Sequence, residues 1–198
     1  MAFLFDDYYE KNSLPYDADH IYEMRVLPYD LDMNFHLNNA QYLSFMEHAR
    51  FDMILKHANV FNRCRRKGYG WVVAGVSFQF RRSANLFDKV RIVTNVCGAD
   101  EKWLYVQQNF YVGKRFIGRG IVRMCTFDKN GAVSTARYFK DILHVDIETA
   151  DPKFRMTKDD YAKFVNADYS ISASGDTRDD IMTRVSSFVF HDETLKEK

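Results

Sequence analysis

The spacing of apolar residues changes character three times along the chain. From His20 to Tyr29 the run is extended, which predicts a first strand with Pro28 near its end or on an edge. From Ala40 to Ala58 the period becomes helical: Tyr42, Met46, Ala49 and Met53 form a stripe that Leu43 and Ile54 widen. Phe51 and Leu55 add apolar surface on the opposite side, and a helix apolar on more than one face is normally wrapped by the rest of its protein. Asn38 or Asn39 is placed to cap it.

From Trp71 the period drops to two. Val72, Ala74, Val76, Phe78 and Phe80 share one face of a strand, with Ser77, Gln79 and Arg81 on the other. Asp88 to Cys97 aligns Val90, Ile92 and Val96, and Leu104 to Val112 aligns Leu104, Val106, Phe110 and Val112. Arg115 to Phe127 sets Phe116, Val122 and Met124 against Arg115, Arg119 and Arg123. The links Ser83 to Phe87, Gly98 to Lys102 and Gly113-Lys114 are short and polar, and read as hairpin connections of an antiparallel meander. Asn62 to Gly70 reads as a basic loop, and Asp128-Lys-Asn-Gly131 as a turn into one more short strand.

A strand, one long buried helix, then four or more antiparallel strands predict an α+β fold. A sheet that wraps a single central helix must curve around it, which is the hotdog architecture. Residues 20–150 would form this domain, with residues 1–19 as an N-terminal arm. Residues 151–198 would be a C-terminal extension, where Thr157/Asp160 and Thr177/Asp180 resemble capping signals of two short helices.

Composition narrows the function classes. A net charge of +1 argues against broad capture of nucleic acid or an anionic membrane. Three widely spaced cysteines, Cys64, Cys97 and Cys125, make neither a disulfide framework nor a zinc pattern, and read as core thiols of a reducing compartment. No His/Cys spacing supports a metal, and no apolar run reaches the length of a membrane span. The opening MAFLFDDYYEKN is too short and too acidic for a signal peptide. The reading is a soluble chain of the cytoplasm, with an organelle as the open alternative.

The chemistry concentrates at the strand-to-helix junction. Asp30 to Tyr42 packs two carboxylates, a histidine and two adjacent asparagines into one short segment, where side-chain acids and helix N-terminal amides converge. Asp32 can activate water or attack a carbonyl, and free amides at the helix start can hold an oxyanion. Asp30 and Asp32 could equally shape the turn by bonding nearby amides. His36 can orient water or hold the loop. Glu47 is a rival acid, though Arg50 three residues on predicts a local ion pair. Arg63, Arg65, Arg66, Lys67, Arg81 and Arg82 are candidates for phosphate contacts or simply solvated surface.

Asp30-Leu-Asp32, His36-Leu-Asn38-Asn39, Tyr42 and Glu47-His-Ala-Arg50 resemble the signature of hotdog-fold acyl-CoA thioesterases of the 4-hydroxybenzoyl-CoA thioesterase-like group. The nearer likeness is to the eukaryotic branch called thioesterase superfamily member six. The resemblance continues through Phe78-Gln-Phe-Arg-Arg82, Leu86-Phe87 and Asp100-Glu-Lys-Trp103 with Tyr105, and so covers about Ile21 to Val133. It implies Asp32 as nucleophile or general base, with His36 beside it. It also implies Asn38, Asn39 and Ala40 as oxyanion and substrate contacts, with Tyr42 close by. An acyl-CoA substrate and no cofactor would follow, in a homodimer or dimer of dimers. Phe35 stands where the group usually has glycine. Some active relatives carry histidine at the Asn39 position and tyrosine at the Pro28 position. A non-catalytic acyl-binding or interaction subunit is the second reading. A hotdog hydratase or dehydratase is the third, because Asp32-Met-Asn34-Phe-His36 is one residue short of that class's pattern.

Overall fold

A computed structural model of the chain describes residues 14–16, 18–57, 59–146 and 158–166. It divides into two units, Met1–Arg155 and Met156–Lys198. The first unit begins with β1 (His20–Arg25). The strand stops short of Tyr29: Pro28–Asp30 forms a single 3-10 turn, with Pro28 where a missing N–H leaves nothing unpaired. Asp30 closes that turn by accepting from the Leu27 amide at 2.9 Å.

α1 (Asn39–Lys56) starts where the asparagines predict, with Asn38 as its cap. It buries Tyr42, Phe45, Met46, Ala49 and Arg50. Leu43 and Phe51 remain 47% and 52% exposed, so among the described residues the helix is covered on one face only. Asn62 to Gly70, expected as loop, instead lies mostly in α2 (Val60–Lys67), closed by Gly68 in the left-handed conformation (φ 70°).

The sheet contains β2 (Gly70–Phe80), β3 (Lys89–Ala99), β4 (Leu104–Val112), β5 (Arg115–Asp128) and β6 (Gly131–Val133). Its order is β1-β3-β4-β5-β2, all antiparallel, with β6 on β5. The β3–β4 and β4–β5 connections are hairpins, as expected. Ser83 to Phe87 is not: β2 pairs with β5 and β3 with β1 and β4, so this link crosses between strands that never touch.

Two bulges reassign faces. In β2 the register shifts between Val73 and Gly75. Val73 pairs with Met124 and Val76 with Val122, so Val73 and Val76 share the core face, and Val72 and Ala74 leave it. In β5 the register slips at Ile117, which is buried, while Phe116 pairs with Tyr111 and lies under Arg119 on the other face. Alternation read straight through a bulge puts one half of a strand on the wrong side.

Between α1 and the sheet, Tyr42 packs on Phe78, Phe80 and Phe110 with ring centroids 4.9, 5.2 and 5.6 Å away. Gly120 permits that approach, because a Cβ there would stand 2.3 Å from the Met46 methyl. Beneath the helix, Gln108 of β4 accepts from Arg50 Nη1 at 2.9 Å and donates to Thr94 and to the Met46 carbonyl. A cavity of about 60 Å³ follows toward the C-terminal half of α1, walled by Met53, Trp71, Val106 and Met124. Cys64, Cys97 and Cys125 are buried free thiols, and burial pushes the first two up to about 12. In the second unit, α3 (Thr135–Tyr138) of the first having been the previous helix, α4 (Lys158–Asn166) is the described element. The expected helix after Thr177 lies outside the described residues.

Candidate active site

The chain folds back on itself between β1 and α1. Leu31 and Leu37 pair as an antiparallel bridge, and the Asp32 amide donates to His36 O at 2.8 Å. Closing so short a loop forces a left-handed residue, and Phe35 takes it (φ 59°) while its amide donates to Asp32 O. Phe35 thus keeps the backbone that a glycine would favour, with its ring 77% exposed. Asp32 Oδ1 accepts from the Asn34 and His36 amides at 2.8 and 3.2 Å. Its Oδ2 has no hydrogen-bond partner among the described residues. Asp30 is buried, and its carbonyl accepts from the Asn38 amide at 2.8 Å; its role is to shape the chain.

At the helix start, Asn38 Oδ1 accepts from the Ala40 amide at 2.9 Å, and the Gln41 amide turns to Asn38 O. The Asn39 amide has no acceptor among the described residues. The uncommitted donor of the helix N-terminus is therefore Asn39 rather than Ala40. The His36 ring is exposed and leaves the loop's hydrogen bonds to its own backbone. Tyr42 is buried, and burial pushes its phenol above its ordinary value, opposed by a hydrogen bond with the Ala84 backbone.

The crossing link brings a second loop to the junction. The Leu37 amide donates to Ala84 O at 2.8 Å and His36 bridges Asn85, so residues 84–88 run beside the Asp32 loop. Arg81 and Arg82 precede this loop, their amides both on Ile117 O, with Arg82 Nη1 donating to Phe116 O at 3.1 Å. Leu86 and Phe87 are exposed beside them, Phe87 also in the left-handed conformation (φ 66°). Nothing in the periodicity of Ser83 to Phe87 marks this placement. The paired Leu86-Phe87 of the family resemblance was its one signal.

Other candidates are not brought together. Arg65, Arg66 and Lys67 occupy the last turn of α2, beyond the far end of α1, about 27 Å along a helix of 18 residues. Glu47 is exposed and paired with Arg50, the ion pair that their spacing predicts. Burial lowers the Arg50 guanidinium from its ordinary value, with Glu47 opposing the shift. Among the described residues no three His, Cys, Asp or Glu side chains converge as a metal site. Among those residues, too, no helix is long and apolar enough to cross a membrane.

An antiparallel sheet curled around a central helix, with an acid-bearing loop at the helix start, defines a hotdog protein. The family model of the thioesterase-like superfamily matches residues 26–168, and the chain belongs to that family. It is similar to Protein THEM6 of Xenopus laevis (37% identical over 76 residues, 38% of this chain and 36% of that protein). It is also similar to Protein THEM6 of Drosophila melanogaster (30% over 94 residues, 48% and 46%). The matches span less than half the length of these relatives. Among solved structures, the probable thioesterase YbaW from Escherichia coli superposes with a TM-score of 0.59 at 23% identity, covering 63% of this chain and 96% of that one. The BH1999 gentisyl-coenzyme A thioesterase gives 0.54 at 17%, covering 61% and 98%. At these identities the likeness establishes the fold.

Proposed function

We propose that the chain hydrolyses acyl-CoA thioesters at the junction ahead of α1, with Asp32 as general base or nucleophile. The observation that carries this reading is the divided carboxylate of Asp32. Two loop amides hold Oδ1 in place and, among the described residues, leave Oδ2 uncommitted, near the start of a helix whose Asn39 amide is likewise uncommitted among them. As a base, Asp32 takes a proton from water, whose oxygen attacks the thioester carbon. The oxyanion accepts from the Asn39 amide and gains from the positive end of the helix. The C–S bond then breaks and the departing CoA thiolate is protonated. As a nucleophile, Asp32 would attack the thioester carbon and expel the CoA thiolate, leaving an anhydride that water then cleaves.

His36 orients the water or the carbonyl. Asn38 holds the helix start in shape, Tyr42 supports it from below, and Ala40 contributes its amide only if the cap opens. Arg81 and Arg82, at this end of the helix, suit the phosphates of coenzyme A. Arg65, Arg66 and Lys67 would meet them only from another subunit. A homodimer or dimer of dimers fits the exposed Leu43 and Phe51 and the apolar edge strand β2, where Val72 and Val73 are 50% and 41% exposed.

A second reading, a non-catalytic acyl-binding or interaction subunit, draws on the same loop, since two amides on Oδ1 also suit a purely structural aspartate. A panel of acyl-CoAs assayed for released thiol, with Asp32→Asn beside the parent, separates the two. Turnover in the parent that collapses in the variant supports hydrolysis at Asp32. Turnover that survives the substitution sinks the Asp32 mechanism, and acyl-CoA binding without turnover in the parent supports the second reading.

A further inference from the structure

At the far end of α1, His20 Nδ1 and His57 Nε2 face each other at 3.1 Å, both rings almost wholly buried. Their outer nitrogens meet acceptors. His20 Nε2 lies 2.8 Å from Asp52 Oδ2, which the Lys56 ammonium also contacts at 2.8 Å, and His57 Nδ1 lies 2.9 Å from Pro15 O. A carbonyl oxygen only accepts, so His57 Nδ1 must carry its hydrogen. Asp52 Oδ2 already accepts from the Lys56 ammonium and accepts from His20 as well, so His20 Nε2 carries a hydrogen too. Two neutral rings oriented this way would point lone pairs at each other. A third proton between them completes the chain of hydrogen bonds.

We propose that His20 and His57 form a buried site for one shared proton, and that this proton clamps residues 14–16 across the interior cavity. Leu14 also donates to Lys56 O at 3.0 Å, and Tyr16 and His57 both wall the cavity, so the clamped segment forms part of its boundary. The inference stands independently of the thioesterase reading. The other ionisable groups nearby are Arg50, Tyr16 and Tyr138, which line the same cavity. Asp19, one residue before His20, is occupied by Asn95.

The sign differs between the two protons. Docking takes up the shared proton, so raising the pH through its loss weakens the clamp. Burial, the largest cause, holds both rings below their ordinary 6.5, so the shared proton leaves below the usual imidazole range. A second proton would set two imidazolium rings together, and His20 further opposes charge on His57. Acidification through that step also releases the clamp. Each limb changes the docking equilibrium by about tenfold per pH unit, the slope of a one-proton linkage.

The measurement is hydrogen-exchange protection of the Leu14 amide in the full chain across pH 4.5 to 9, with histidine ¹⁵N shifts read alongside. A bell-shaped protection profile, with His20 and His57 together holding one shared proton at its maximum, supports the site. Asp52→Asn should move the alkaline limb to lower pH, because the balancing carboxylate is gone. A flat or one-sided profile in the parent overturns the proposal. So does an alkaline limb that Asp52→Asn leaves in place, or protection that a metal chelator abolishes, which would assign the gap between the rings to a metal ion.

Discussion

The two ends of α1 handle polar groups in opposite ways. At its start, Asp32 Oδ2, the Asn39 amide and the His36 ring have no partner among the described residues, and the flanking Met33 and Phe35 are 96% and 77% exposed. At its end, Asp52, His20, His57 and the Pro15 carbonyl close a chain of contacts inside the protein, and Asn62 bonds Asn59 nearby. Buried polar groups are costly unless paired, so the closed end contributes stability. Uncommitted donors and acceptors at a partly exposed site are the condition for acting on something else.

The sharpest way to break this contrast is Asp32→Asn. The amide oxygen can still accept from Asn34 and His36, so the loop should persist and the melting temperature should hold within a degree or two. Thioester turnover should fall by about 10²–10⁴-fold, the usual contribution of a positioned general base. Thiol release and thermal melting on the same preparation check both halves. A large loss of stability would mean that Asp32 belongs with the structural end of the comparison.

His57→Ala applies the same test to the other end. It removes the donor to Pro15 O, leaves His20 Nδ1 unpartnered in a buried position, and enlarges the cavity. The expected cost is about 2–3 kcal/mol in chemical denaturation, with turnover at 25 °C close to the parent's. A variant that loses activity without losing stability would collapse the distinction between the ends.

Which parts of this contrast the sequence reveals follows from how local each signal is. The helical stripe of Tyr42, Met46, Ala49 and Met53 and the alternation of β4 depend only on neighbouring residues, and with them the curved sheet on a central helix was legible. The bulges at Ala74 and Ile117 were not, because two residues facing one is a property of the pair of strands. Of the site, Asp32 and the Asn38 cap could be read from their place before a helix. Which helix amide stays free depends on the Asn38 side chain, and that narrows the candidate donors Asn38, Asn39 and Ala40 to Asn39. His20 and His57 stand 37 residues apart with no motif between them, and only the return of the chain past the helix end joins them.

Asn38→Ala is the milder probe of the open end. Losing the cap should destabilise the chain by about 1 kcal/mol, measured by denaturant midpoint at constant slope. It also frees the Ala40 amide, so turnover should fall far less than in Asp32→Asn. A loss as large as that of Asp32→Asn would place Asn38 itself on the substrate.

The smallest effect is expected at Phe35. A left-handed backbone costs a side-chain-bearing residue about 1–2 kcal/mol, and glycine removes that cost. Glycine also loses more freedom on folding, by about 0.5–1 kcal/mol, so the two nearly offset. Phe35→Gly should therefore leave the chain about 0.5 kcal/mol more stable, with the Asp32 loop unchanged because its hydrogen bonds are all backbone or Asp32. The exposed ring makes no aromatic contact in this loop that the substitution would forfeit. A denaturant midpoint that falls by more than 1 kcal/mol equivalent would show that the ring packs against something the isolated chain lacks. A second subunit at the open end of α1 would then be the first surface to examine.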